Sequence, residues 1–330
     1  MAILRHESKS QPEELFAYKQ MHLAPTTLEE LTSSLAKGHA EGSKLESLDL
    51  NALHTVLEHK AEDMTATVQA GITLKNFQQQ LASQGQWLPI DPHEPHALTI
   101  RAILETNASG PRRFGYGTIR DYVIGMTVAL ADGRLIHSGG KVVKNVAGYD
   151  LMKLFIGSRG SLGIIVEVTF KVLPLPESEQ FAEARCESLD EAHKLLESIF
   201  DSQLAPKVLD LHNLNSGKSG FWVILGFAGT QAEVEWQLTE ARQLGVNQPS
   251  SLDYDKNFFT STTAYNKESV LPSKLIELLK GLNNVPFLAR AGNGIVYHSG
   301  SLNARTGQRI TKLEARLKRE FDPKQIFPSF

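Results

Sequence analysis

The residues with chemical reach in this chain fall in two glycine-punctuated runs. NASGPRRFGYGTIRD spans Asn107–Asp121, and VVKNVAGYDLMKLFIGSRGSLGIIVEVTF spans Val142–Phe170. Gly110, Gly115, Gly117, Gly148, Gly157, Gly160 and Gly163 interrupt otherwise apolar or basic sequence. Glycine in such places permits positive φ or lets another group approach the backbone closely. One reading is a backbone-lined groove for a large flat ligand. The other is a set of tight turns in a β-rich domain. Two dense clusters so close together favour the groove. Arg112-Arg113 could neutralise a phosphate, with a plain surface turn as the alternative. Lys144 and Asn145 beside Gly148 carry donors suited to a ligand's carbonyls, or they form a helix entry.

Several other chemistries lack their motifs. No G-x-G-x-x-G follows a strand pattern, so a nicotinamide site is not supported. Gly157, Gly160 and Gly163 form G-x-x-G-x-x-G instead. The G-x-x-x-G-S-K stretch at Gly38–Lys44 has neither the spacing nor the order of a P-loop. C-x-x-C, H-E-x-x-H and G-x-S-x-G are absent. His93 and His96 flank Pro95 in what reads as a polar loop, so no metal is expected. The single cysteine, Cys186, excludes a disulfide within the chain and an iron–sulfur cluster held by it. A net charge of −3 gives no bulk attraction to nucleic acid or to an anionic membrane. MAILRHESKSQPEE has no long apolar run, so neither a signal peptide nor a membrane span is expected, and the default compartment is cytoplasmic.

These runs need elements to position them. With 330 residues, 41% of them hydrophobic, two domains are more natural than one. Residues 1–24 read as a loose lead-in. Thr27 and Glu30 form a capping box, and Gly38 is expected to stop the helix that follows. Met64–Ala70 reads as a strand and Thr73–Gly85 as a helix. Asp121–Ala131 reads as a strand turning at Asp132-Gly133. Asp150–Ile156 reads as a short helix. From Ile164, alternation places Ile164, Val166, Val168, Phe170 and Val172 on one face of a strand. Pro174 and Pro176 mark a boundary. Beyond it, capping boxes at Ser188/Glu191 and Thr230/Glu233 enclose the β-prone runs Val208–His212 and Phe221–Gly229. That order suggests an antiparallel sheet with helices on one face. Residues 246–271 carry no assignable pattern. Pro272–Leu282 reads as helical, Phe287–Ala291 and Gly294–His298 as a hairpin, and Asn303–Phe321 as a last helix.

Residues 25–177 resemble the FAD-binding domain of the vanillyl-alcohol-oxidase/PCMH flavoprotein superfamily, and within it the FAD-binding subunits of glycolate oxidase of the GlcE type. The matching stretches are LEHKAEDMTATVQAGITL, GQWLPIDPHEP, TNASGPRRFGYGTIRDYVIG, VVKNVAGYDLMKLFIGS and GSLGIIVEVTFKVLPLP. ARAGNGIVY and FDPKQIF match more faintly. The resemblance implies an α+β chain: a two-lobed PCMH-type FAD-binding domain over 1–177, its lobes meeting near residue 60, and a smaller antiparallel-sheet α+β cap domain over 178–302. Residues 303–330 would return to the FAD domain. It also implies non-covalent FAD and no metal. The implied cofactor contacts near the phosphates and flavin are Ser43, Thr99, Arg101, Ala102, Asn107, Ser109 and Gly110, with Arg112, Gly117 and Asp121 following. Val143, Lys144, Asn145 and Gly148 would sit by the ring, and Gly160, Leu162, Gly163, Ile164 and Ile165 toward the adenine.

The implied activity is oxidation of glycolate or another small 2-hydroxy acid, or electron relay, within a complex holding a second flavoprotein subunit and an iron–sulfur subunit. Membrane association would be indirect at most. The alternatives are a non-catalytic scaffold subunit, or an oxidoreductase of another small alcohol. A 2-hydroxy acid site needs a base and a cation. Arg290, His298, Tyr116 and Tyr149 are the candidates, with a structural role as the alternative for each. The chain departs from the family's T-[IL]-G-G pattern ahead of ATNASGPRR: it has Thr99-Ile100-Arg101-Ala102, so the two glycines that admit the pyrophosphate are gone. Either Arg101 turns away and Ala102 suffices, or binding is weakened. The first phosphate loop is shortened to GHAEGSKLESLDLNALH, and Phe327-Pro328-Ser329 replaces the usual terminal N-P-G.

Overall fold

Thr27 opens the first helix because its Oγ1 accepts from the Glu30 N–H at 3.1 Å, filling one of the donors that a helix start leaves over. The computed structural model describes residues 19–94, 96–141, 150–214, 219–262, 264–283, 285–300 and 311–329. Strand β1 is Gln20–Leu23, helix α1 Leu28–Glu41 and strand β2 Lys44–Leu48. Part of the expected lead-in is thus a strand, and β1 pairs in parallel with β2. Gly38 does not stop α1. The helix runs on to Gly42, whose φ of 71° ends it. Gly38 is instead a packing residue: a Cβ there would lie 2.5 Å from the Met21 sulfur of β1.

The next elements are β3 (Val56–Lys60), β4 (Thr65–Gln69), α2 (Leu74–Ala82), β5 (Gln86–Trp87), α3 (Ile100–Thr106) and α4 (Arg113–Tyr116). They are followed by β6 (Val123–Ala129), β7 (Leu135–Gly139), α5 (Met152–Phe155), β8 (Ile164–Lys171) and β9 (Leu173–Pro174). Five strands form an antiparallel sheet in the order β3-β4-β8-β6-β7. The alternation read from Ile164 does not keep one face. Register shifts between β6 and β8 break it. Ile164 and Val166 pack with Met21 of β1 and Leu31 and Leu35 of α1, while Val168, Phe170 and Val172 pack with Phe77, Leu81 and Ile103. A bulge turns the same strand to two cores.

The second sheet is built from β10 (Ser178–Cys186), β11 (Val208–His212), β12 (Phe221–Gly229), β13 (Gln248–Pro249), β14 (Asn266–Ser269), β15 (Phe287–Arg290) and β16 (Ile295–His298). Its order is β13-β10-β12-β11-β15-β16-β14, and its pairings are antiparallel. Helices α6 (Leu189–Phe200), α7 (Gln231–Gln243) and α9 (Leu275–Gly281) supply Leu196, Val234 and Leu279 to one apolar core with this sheet. Helix α8 (Asp253–Ser261) fills part of the stretch without sequence pattern and packs Tyr254 and Phe258 with Trp222, Ile224 and Leu288 of the sheet. Helix α10 (Lys312–Phe321) is followed by a turn that Asp322 ties down, accepting from the Ile326 and Phe327 N–H groups at 2.8 Å each. Leu45 N–H of β2 then donates to the Ile326 carbonyl at 2.8 Å. Among the described residues no helix is long and apolar enough to cross a membrane, and no three His, Cys, Asp or Glu are grouped to hold a metal ion.

Candidate cofactor site

Helix α3 and the glycine loop that follows α5 are built against each other. Thr99 caps α3, its Oγ1 accepting from Ala102 N–H at 3.2 Å. Asn107 ends the helix in the left-handed region at φ 48°. The Gly157 N–H donates to the Leu104 carbonyl and the Arg159 N–H to the Glu105 carbonyl, each at 2.9 Å. Gly157 and Gly160 hold φ of 86° and 74°. Leu162, Ile164 and Ile165 are buried behind them, and Gly163 lies against Val128 and Phe155. Thr99, Arg101, Ala102, Asn107 and the Gly160–Ile165 stretch are therefore brought together. Ser43 is apart, buried at the α1–β2 junction with its N–H on the Gly38 carbonyl. Val143, Lys144, Asn145, Gly148 and Tyr149 lie outside the described residues.

Of the other candidates, Arg112 reaches the second sheet, at Glu179 of β10. Ser109 Oγ accepts from Arg113 at 3.1 Å. Gly110 packs so closely on the Asp91 backbone that a Cβ would lie 1.7 Å from the Asp91 carbonyl oxygen. Arg112 is committed to protein carboxylates, reaching Asp91 at 3.0 Å and Glu179 through two of its nitrogens. Burial pushes the Asp91 carboxyl up to about 7 against the pull of Arg112 and Arg290. Gly117 and Asp121 build a turn, with Asp121 accepting from the Thr118 N–H at 2.8 Å.

The catalytic candidates among the described residues are held by structure. Arg290 is 3% exposed and paired with both Asp210 and Asp255. Burial pushes the Asp210 carboxyl up to about 6, and Tyr254 donates to it at 2.7 Å. His298 is fully buried on β16, and neither ring nitrogen has a hydrogen-bond partner among the described residues. Tyr116 sits edge-on to Trp87 at 5.3 Å, with Lys207 5.6 Å over its ring, and burial raises its phenol. Arg290 holds Asp210 and Asp255 through its two terminal nitrogens, and its Nε is buried without a hydrogen-bond partner among the described residues.

The fit of FAD to these residues is uneven along its length. Asn107 Oδ1 and Ser161 Oγ are buried without a hydrogen-bond partner among the described residues, one at the end of α3 and the other in the glycine loop. Orphaned polar atoms at such a junction suit a hydrogen-bonding ligand. The phosphate side is different. The first N–H groups of α3 are already used, Ile100 on Ile72 O, Arg101 on Ala70 O and Ala102 on Thr99 Oγ1. The Arg101 guanidinium lies 3.1 Å from both Glu105 oxygens and 3.4 Å from the Leu48 carbonyl at the end of β2. Glu105, an acid four residues after Arg101 on a helix, is a site residue that the motifs did not point to. Lys318 is another, its amine donating to the Ser161, Phe327 and Pro328 carbonyls and to Asp322.

Residues 5–139 match the FAD binding domain family. The chain is 39% identical over 158 residues to the glycolate oxidase subunit GlcD of Bacillus subtilis, covering 48% of this chain and 34% of that protein. It is 37% identical over 163 residues to a D-lactate dehydrogenase of Anaerostipes hadrus, covering 49% and 34%. It is 33% identical over 181 residues to the glycolate oxidase subunit GlcE of Escherichia coli, covering 54% and 50%. The matched segments thus span between a third and a half of the length of these relatives. An alkyldihydroxyacetonephosphate synthase structure superposes with a TM-score of 0.71 over 92% of this chain and 76% of its own, at 17% identity, which speaks for the fold. The FAD binding domain match thus lies in the N-terminal part of this chain, and the fold over nearly its whole length is shared with the synthase structure.

Proposed function

We propose that the chain is the FAD-carrying subunit of a complex that oxidises a small 2-hydroxy acid, glycolate or D-lactate being the first to test. The observation that carries this reading is the junction of α3 with the glycine loop, where Asn107 Oδ1 and Ser161 Oγ wait buried and unpartnered in a family whose domain binds FAD. FAD supplies two-electron redox chemistry when bound. The chain's own part is to hold and shield it. Asn107 and Ser161 offer polar contacts, Gly157 and Gly160 let the ligand approach the backbone, and Leu162 with Ile165 exclude water behind them. With Arg290, His298 and Tyr116 all held in packing, the substrate's base and carboxylate clamp come from a partner subunit or from outside the described residues. Cys186, buried in β10, is the only cysteine of the sequence and cannot hold an iron–sulfur cluster, so onward electrons pass to a partner bearing its own redox centre. The compartment we propose is the cytoplasm.

A second reading rests on the Arg101–Glu105 ion pair. If it never opens, the chain is a scaffold subunit. The test is to purify the chain, add FAD and pass it through gel filtration. Flavin absorbance that stays with the folded protein supports the first reading, and turnover of glycolate and D-lactate with partner subunits then follows. A folded chain that stays colourless at every FAD concentration sinks it.

A further inference from the structure

We infer that Arg101 is the phosphate-binding residue of this chain and that Glu105 latches it shut until an anion takes the place of its carboxylate. This rests on the FAD reading above and deepens it. The chain has lost the small residues that would let backbone donors reach a pyrophosphate, and the N–H groups at the start of α3 are all spent within the protein. A favourable contact to a phosphate from α3 must therefore come from a side chain. Arg101 is placed to make it. Its guanidinium bridges from α3 to the end of β2, with its side chain about one quarter exposed, and it holds only oxygen acceptors: the two Glu105 oxygens and the Leu48 carbonyl. A guanidinium fork matches phosphate as well as it matches carboxylate.

Glu105 is the obstacle. Its side chain is 12% exposed, and burial raises its carboxyl above the ordinary carboxylate range although Arg101 pulls it down. It faces the glycine loop, where a Cβ on Gly160 would lie 3.3 Å from Glu105 Oε1. An anion at that loop would thus have the Glu105 carboxylate beside it. Ser161 Oγ and Asn107 Oδ1, unpartnered among the described residues, are a second observation that suits a polar occupant at the loop. One rotation of the Glu105 side chain exchanges an internal acceptor for the ligand's phosphate, with Arg101 serving both.

The test compares FAD with riboflavin, which has the ring and no phosphate. Dissociation constants are measured by flavin fluorescence titration and calorimetry for the full chain, Glu105→Gln, Arg101→Gln and the double variant, with circular dichroism to check folding. Glu105→Gln is expected to tighten FAD about tenfold, equivalent to about 1.4 kcal/mol, and to leave riboflavin within about twofold. Arg101→Gln in the Glu105→Gln background is expected to return that gain, again only for FAD. Equal changes for FAD and riboflavin, or no change in FAD affinity, overturn the latch while leaving the flavoprotein reading intact. Absence of any flavin binding to both the wild type and Glu105→Gln overturns both.

Discussion

Arg290→Met distinguishes a structural arginine from a substrate clamp. Arg290 is 3% exposed and lies between Asp210 and Asp255, while Tyr254 and Arg290 share the same Asp210 oxygen. Removing the cation leaves two buried carboxylates facing each other. Breaking a buried pair from one side costs about 3–5 kcal/mol, because the remaining charge has no water to go to. Methionine fills most of the volume, so the cavity contribution is small and the loss is electrostatic. The assay is urea unfolding followed by tryptophan fluorescence, since Trp222 packs in the same core as Tyr254. The triple variant Arg290→Met/Asp210→Asn/Asp255→Asn is expected to recover most of the loss by removing the stranded charges. A loss below about 1 kcal/mol for Arg290→Met, coupled to a fall in affinity for a 2-hydroxy acid in the assembled complex, would refute the reasoning and return Arg290 to the substrate site.

Three further outcomes follow from the same packing. Burial pushes His212 down to about 4 from 6.5, so it stays neutral in the fold while the unfolded chain takes up a proton below 6.5. Its contribution to stability is present above that pH and is lost as the pH falls toward 4, by about 3 kcal/mol at most. Asp210, raised from 3.8 to about 6, works in the opposite direction over much of that window, so the His212 part is read as the difference in pH profile between wild type and His212→Phe. Gly292→Ala places a Cβ 2.1 Å from the Phe114 ring and is expected to cost about 1–3 kcal/mol in the same unfolding assay. Arg112→Met removes the cation that joins Asp91 to Glu179 of β10, and is expected to cost about 3 kcal/mol; Arg112→Lys does not recover it, because lysine lacks the planar fork.

What was legible in the sequence is what depends on neighbours a few residues away. Thr27, Ser188 and Thr230 mark helix starts because each side chain accepts from an N–H three residues on; only at Thr230 does the glutamate close the box, Glu30 and Glu191 reaching the Thr26 and Glu187 N–H groups instead. The Asp132-Gly133 turn and the two glycine runs are local in the same way, and the family resemblance follows from those runs. Gly38 shows where that logic ends: it ranks as a helix stop by type, yet the sulfur of Met21, a residue of another strand, explains why it is glycine. The alternation from Ile164 fails for a similar reason, since a register shift against β6 is a property of two strands and not of one. The site was decided at longer range still. Arg112 pairs with Glu179, 67 residues away, and Arg290 with Asp210, 80 residues away, so neither partner carries any spacing signal. Two arginines that by type could bind substrate or phosphate are thereby taken up in holding the fold. Charge placement in a low-dielectric interior depends on which chains meet there, and only the tertiary structure brings them together.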